Sequence, residues 1–134
     1  MKKLIVDTNI FLRFLTNDIP EQAARVEKRF KDAEKGKLHL IVFQITLVEV
    51  LFQLEHWYRL KKNEAVEKMI KLFSPNWFEI DHKDAVFEAL SIYKSRSIDF
   101  VDLMMWAIAK KSKSAILSFD KDFDKLEPKL RLNP

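Results

Sequence analysis

Cysteine is absent from the 134 residues, which excludes a disulfide framework and any Cys-ligated zinc or iron–sulfur site. Glycine occurs once and proline four times, so long flexible linkers are not expected. A phosphate-cradling Gly-rich loop is excluded for the same reason. No Gly-x-Ser-x-Gly elbow exists, which leaves a serine nucleophile without support. The three histidines, His39, His56 and His82, are scattered and form no ligand pair. Long apolar runs are missing too. Leu4-Ile5-Val6 after Met1-Lys2-Lys3 is too short for a signal peptide, and no stretch approaches the roughly 20 apolar residues of a membrane span. The expectation is a soluble, cytoplasmic protein with no membrane contact.

At 48% hydrophobic and 33% charged residues, the chain can bury a core and stay soluble as a single domain, 1–134. The net charge of +4 and pI of about 9.2 point weakly to nucleic acid. The pointer gains weight if carboxylates gather in one place, because the remaining surface is then more basic than the total suggests.

Five short β-branched or apolar runs read as strands: Lys3 to Val6, Leu38 to Val42, Trp77 to Ile80, Ala115 to Ser118 and Leu130 to Leu132. The first is expected to be buried. Helices are predicted between them. One opens over Ile10–Leu15 with Thr8 or Asn9 as cap, and another runs from Pro20 to about Lys35 and stops at Gly36. Apolar three-and-four spacing predicts a helix over Ile45–Leu60. Asn63-Glu64-Ala65-Val66 resembles a capping box for a helix to Phe73, Asp81 is placed to cap a helix to about Lys94, and Phe100 to Lys111 is strongly apolar. Strands alternating with helices imply an α/β sandwich with a mainly parallel sheet of four to five strands. In such sheets ligands bind beyond the C-terminal strand ends.

That rule selects the acids. Asp7 follows the first strand and Asp120 the fourth. Asp99 and Asp102 are three apart where a helix begins, so they share one side of it. Glu49, between Val48 and Val50, is expected in an apolar setting where it needs a partner or a metal. Each acid also has a plainer reading as a cap, a turn residue or half of an ion pair. Gathered carboxylates repel, so they take up protons or bind a cation. An all-oxygen set suits Mg²⁺ or Mn²⁺ rather than zinc. Such ions activate water and offset charge on a phosphate, which points to phosphodiester hydrolysis.

Val6-Asp7-Thr8-Asn9, Val48-Glu49-Val50, Ile98-Asp99-Phe100-Val101-Asp102 and Leu117-Ser118-Phe119-Asp120-Lys121-Asp122-Phe123 together resemble the PIN-domain family in order and spacing over nearly the whole chain. Within the family, the chain resembles the VapC-type toxins of VapBC pairs. The resemblance implies a PIN-like three-layer α/β/α sandwich and an Mg²⁺- or Mn²⁺-dependent ribonuclease. It also implies a homodimer and a protein antitoxin as partner. It places Asp7, Glu49 and Asp102 at the three core acids, Asp120 at the variable fourth and Asp99 at a frequent extra one. Thr8, Asn9 and Ser118 match small polar supporting positions. Met105 and Trp106 depart from the family's small residues in that helix, and Asp122 competes with Asp120.

Arg13 lies soon after Asp7 and is a candidate RNA contact; the pairs Lys28-Arg29, Lys61-Lys62 and Lys110-Lys111 read mainly as solvated faces. Phe11, Phe14, Leu51, Phe52 and Trp57 are either core or a partner face. An aspartate-nucleophile phosphatase is set aside because position 9 is Asn9. Alternatives to a toxin are an RNA-processing PIN nuclease or a non-catalytic RNA-binding scaffold.

Overall fold

Parallel strands need long crossovers, and this sequence supplies them as helices. The computed structural model describes residues 2–134, which fall into two compact units, one ending at Asp81 and the other beginning at His82. In the first, β1 (Lys2–Ile5), β2 (Leu38–Ile41) and β3 (Phe78–Glu79) form a parallel sheet in that order. Lys2 lies opposite Leu38, Ile5 opposite Ile41, and Leu40 opposite Phe78. The crossovers are α1 (Thr8–Thr16) with α2 (Pro20–Glu34), then α3 (Gln44–His56) with α4 (Lys62–Phe73).

Four phenylalanines build the core of this unit. Phe11 of α1 meets Phe73 edge-on with centroids 4.8 Å apart, and Phe30 and Phe78 close the cluster. Leu47, Val50, Leu51 and Leu54 of α3 are buried, as are Val66 and Met69 of α4. Phe14, Phe52 and Trp57 are left exposed. The expected burial of the first strand does not hold. β1 is the edge of its sheet, Lys2 and Lys3 face solvent, and Ile5 is 65% exposed; only Val6, just past the strand, is buried.

Helix ends also differ from expectation. Asp7, not Thr8 or Asn9, occupies the cap of α1. Pro20 does open α2, and Gly36 beyond its end takes φ +80°, open to glycine without strain. α3 stops at His56 rather than Leu60. Trp57 and Tyr58 both donate to Gln53 O, Leu60 turns back onto Leu54 O, and Arg59 adopts φ 59°. The Asn63 box does not cap α4, because Asn63 already lies inside the helix and Lys61 holds the cap position without a side-chain bond.

The second unit contains α5 (Lys83–Tyr93), α6 (Phe100–Ser112) and β4 (Ile116–Leu117). A 3-10 turn (Lys121–Lys125) and β5 (Arg131–Leu132) follow, with β5 parallel to β4. His82, at φ 54°, rather than Asp81, stands at the head of α5. Ala85, Val86, Ala89 and Leu90 of α5 are buried with Leu103, Met104, Trp106 and Ala107 of α6, the two helices lying against each other. Trp106 is therefore core. Its indole N–H donates to Pro128 O at 3.0 Å and the Lys110 ammonium lies 4.4 Å from its ring, whereas Met105 is exposed. The fold is α/β, and every strand pairing among the described residues is parallel. No helix among the described residues is long and apolar enough to cross a membrane.

Candidate active site

Val6 N–H donates to Ile41 O at 3.0 Å, holding the chain to β2 one residue past β1. Asp7 thus emerges at the C-terminal edge of the sheet, where α1 begins. Its Oδ1 accepts the Thr8 N–H at 2.8 Å. Thr8 is buried, and its hydroxyl donates to Glu49 Oε2 at 2.6 Å, a short charge-assisted bond. Thr8 therefore joins Asp7 and Glu49 into one group within the first unit.

Glu49 is not enclosed by apolar side chains. Successive helix residues point about 100° apart, so the valines beside it in sequence do not surround it. Val50 is buried and Val48 half-buried, while Glu49 shares the open face with Ile45 and Phe52. Solvent access and the Thr8 hydroxyl meet its needs without a core base.

Asn9 makes no side-chain hydrogen bond and lines a cavity between α1 and α2. Arg13 is already engaged. Its guanidinium lies 3.2 Å from Asp18, donates to Gln22 Oε1 at 3.0 Å, and reaches the Tyr58 hydroxyl. Tyr58 in turn donates to Asp18 at 2.8 Å; that bond, with Thr16 and Arg13, holds the Asp18 carboxyl below its usual range.

In the second unit, Asp99 holds the cap position of α6, yet its side chain makes no cap bond. Asp102, one turn on, is half-buried. Burial first, then the charges of Asp99, Asp120 and Asp122, push its carboxyl above the usual range, and no basic group offsets them. Asp120 follows β4: its N–H donates to Ser118 Oγ at 2.9 Å, and its Oδ1 accepts the Asp122 N–H at 2.9 Å, capping the 3-10 turn. Asp122 is drawn to Lys125 at 2.8 Å. The two candidate fourth acids therefore differ in that Asp122 is held in a salt bridge with Lys125, whereas Asp120 only feels the charge of Arg131.

Arg131 is a supporting residue that no sequence pattern marks. Its guanidinium grips Asp124 at 3.1 and 2.8 Å and donates to Ser118 O at 3.2 Å, fixing the strand end that carries Ser118 and Asp120. Replacing this fork by a single ammonium in Arg131→Lys should cost about 1–3 kcal/mol. The measurement is the urea midpoint at constant slope. A midpoint equal to wild type would show that the clamp does not hold the turn.

Among the described residues, no three His, Asp or Glu side chains stand close enough to hold a metal ion unaided. The acids described in each unit nonetheless offer only oxygen donors, and no basic group offsets Asp102. This fits Mg²⁺ or Mn²⁺ chemistry, since Mg²⁺ keeps several waters and takes only one or two carboxylates plus substrate phosphate oxygens.

A protein of Aquifex aeolicus (strain VF5), described as "VapC ribonuclease", is 26% identical over 123 residues, 91% of this chain and 90% of that one. The crystal structure of VapBC2 from Rickettsia felis, bound to a DNA fragment from their promoter, is similar at 16% identity with a TM-score of 0.40, over 99% of this chain and 98% of that one. The family model of the PIN domain matches residues 4–128, and over that span, nearly the whole chain, this protein belongs to the PIN-domain family.

Proposed function

We propose that this chain is an endoribonuclease that hydrolyses RNA phosphodiester bonds with Mg²⁺ or Mn²⁺, and that it is the toxin of a toxin–antitoxin pair. One observation carries the reading: a half-buried Asp102 with three carboxylate neighbours and no basic partner. A structural acid gains nothing from that setting, whereas a cation-binding one needs it. In this reading the 1–134 chain acts as one PIN domain. Asp7, Glu49, Asp102 and Asp120 are its catalytic acids, and Asp99 is a further metal ligand. Family membership and the similarity to the Aquifex protein support it.

When bound, the divalent ion supplies activated water and charge compensation at the scissile phosphate. The chain's own residues orient the acids. Thr8 holds Glu49 by its hydroxyl and Asp7 by its N–H, while Ser118 fixes the turn at Asp120. Two protein partners belong to the same reading: an antitoxin and a second copy in a homodimer. Exposed Phe43, Ile45, Phe52 and Trp57, on and beside α3, support a protein-binding face.

Labelled RNA incubated with Mg²⁺ or Mn²⁺, with chelator, and beside Asp7→Asn tests the activity. Cleavage should require the metal and vanish in the variant. RNA binding without cleavage under every metal would instead mark a non-catalytic scaffold.

A further inference from the structure

α1 and α2 border an open cleft of about 590 Å³. Its polar lining is Asn9 and Arg13 from α1 with Gln22, Arg25 and Arg29 from α2. Helical spacing explains the set, since residues 22, 25 and 29 fall on one face of α2. No carboxylate lines the cavity. The three guanidinium groups differ in what they can still bind. Arg13 is paired with Asp18. Arg25 has only an i,i+4 contact with Glu21 at 3.5 Å, with both side chains about three-quarters exposed. A pair of that kind is weak and screened. The Arg29 side chain takes part in no hydrogen bond or salt bridge among the described residues.

The order along the hairpin is informative. Arg13 bonds Gln22 near the turn. Arg29 lies seven residues beyond Gln22, about 10 Å along α2, and lines the same cleft as Asn9 and Ile10, which follow Asp7 at the start of α1. We infer that this cleft binds the phosphodiester backbone of single-stranded RNA, with Arg25 and Arg29 as its phosphate-binding cations and Arg13 as a fixed wall. The inference rests on the ribonuclease reading, under which a substrate phosphate sits at Asp7 and the strand must continue from there. Guanidinium forks match phosphate oxygens in pairs. Ile10, 37% exposed within the lining, offers an apolar surface to a base.

The test is binding of a short fluorescein-labelled single-stranded RNA to the full chain, read by anisotropy across a KCl series with EDTA present to prevent cleavage. Arg25→Gln, Arg29→Gln and the double variant are compared with Lys31→Gln, which removes one charge from the opposite face of α2. All these side chains are exposed, so unchanged melting confirms the fold. The double variant should lose about tenfold or more in affinity at low salt, and its log–log salt slope should fall by about 1.4, roughly 0.7 per phosphate contact. Lys31→Gln should match wild type. Wild-type affinity and slope in the double variant would overturn the inference. So would variants that keep RNA but lose poly-glutamate binding, because the cleft would then be an acidic-peptide site. Failure of the ribonuclease reading looks different: RNA binds with the expected slope change, yet no metal supports cleavage.

Discussion

Asp102→Asn is expected to abolish RNA cleavage and to raise thermal stability in the same protein. Losing the least compensated acid of the proposed centre should cost several kcal/mol of transition-state stabilisation, about a thousandfold in rate. The stability change has the opposite sign for a physical reason. Burial and the charges of Asp99, Asp120 and Asp122 raise the Asp102 carboxyl above its usual 3.8. Between the usual and the raised value, the folded chain keeps a proton that the unfolded chain has released. Stability therefore falls as pH rises through that window. Asparagine has no such penalty. Its melting temperature should exceed wild type at neutral pH. The gap should close in acid, where Asp102 is protonated in both states. Added Mg²⁺ should raise the wild-type melting temperature more than that of the variant, since only a native-state site gains from the ion. Equal melting curves at neutral pH, or a variant that still cleaves RNA, would remove Asp102 from the centre.

Much of this was legible in the sequence, and the parts that were not share a cause. Alternating strand and helix patterns predicted the α/β class and the parallel pairings, because periodicity reports which side of an element is apolar. Asp7 was placed correctly after a strand by the abrupt change from Ile5-Val6 to polar residues. Local flanks misled where three-dimensional direction mattered. The valines around Glu49 suggested an apolar pocket, yet helix geometry turns Glu49 toward the open face. Arg59 and His82 adopt left-handed conformations without being glycine, so no composition signal announced those helix boundaries. Arg131 and Asp124 are joined by geometry that no short motif records. The same holds for the α1–α2 cleft, where Arg25 and Arg29 are unremarkable until the hairpin sets them opposite Asn9.

Phe11→Ala should be the most destabilising single substitution in the first unit, at about 3–5 kcal/mol. That is a large share of the roughly 5–15 kcal/mol that holds a domain folded. Phe11 is fully buried, and its ring is edge-on to Phe73 and Phe78 while stacking near Phe30. It thus joins α1 to α2, α4 and β3 at one point. Truncation leaves a cavity that the three remaining rings and the helices around them cannot collapse to fill. Phe14→Ala is the matched control, since Phe14 is 36% exposed and makes one ring contact, with Phe30 at 5.0 Å. Its loss should be well under half as large. The functional consequence follows from position. Phe11 lies one turn after Thr8 on the same face of α1, so its packing fixes the first turn that presents Asp7 and the Thr8–Glu49 bond. Even where Phe11→Ala remains folded, RNA cleavage should fall further than in Phe14→Ala. Urea midpoints and cleavage rates of the two variants decide this. If Phe11→Ala costs no more than Phe14→Ala in either measurement, the phenylalanine cluster does not anchor the acidic edge.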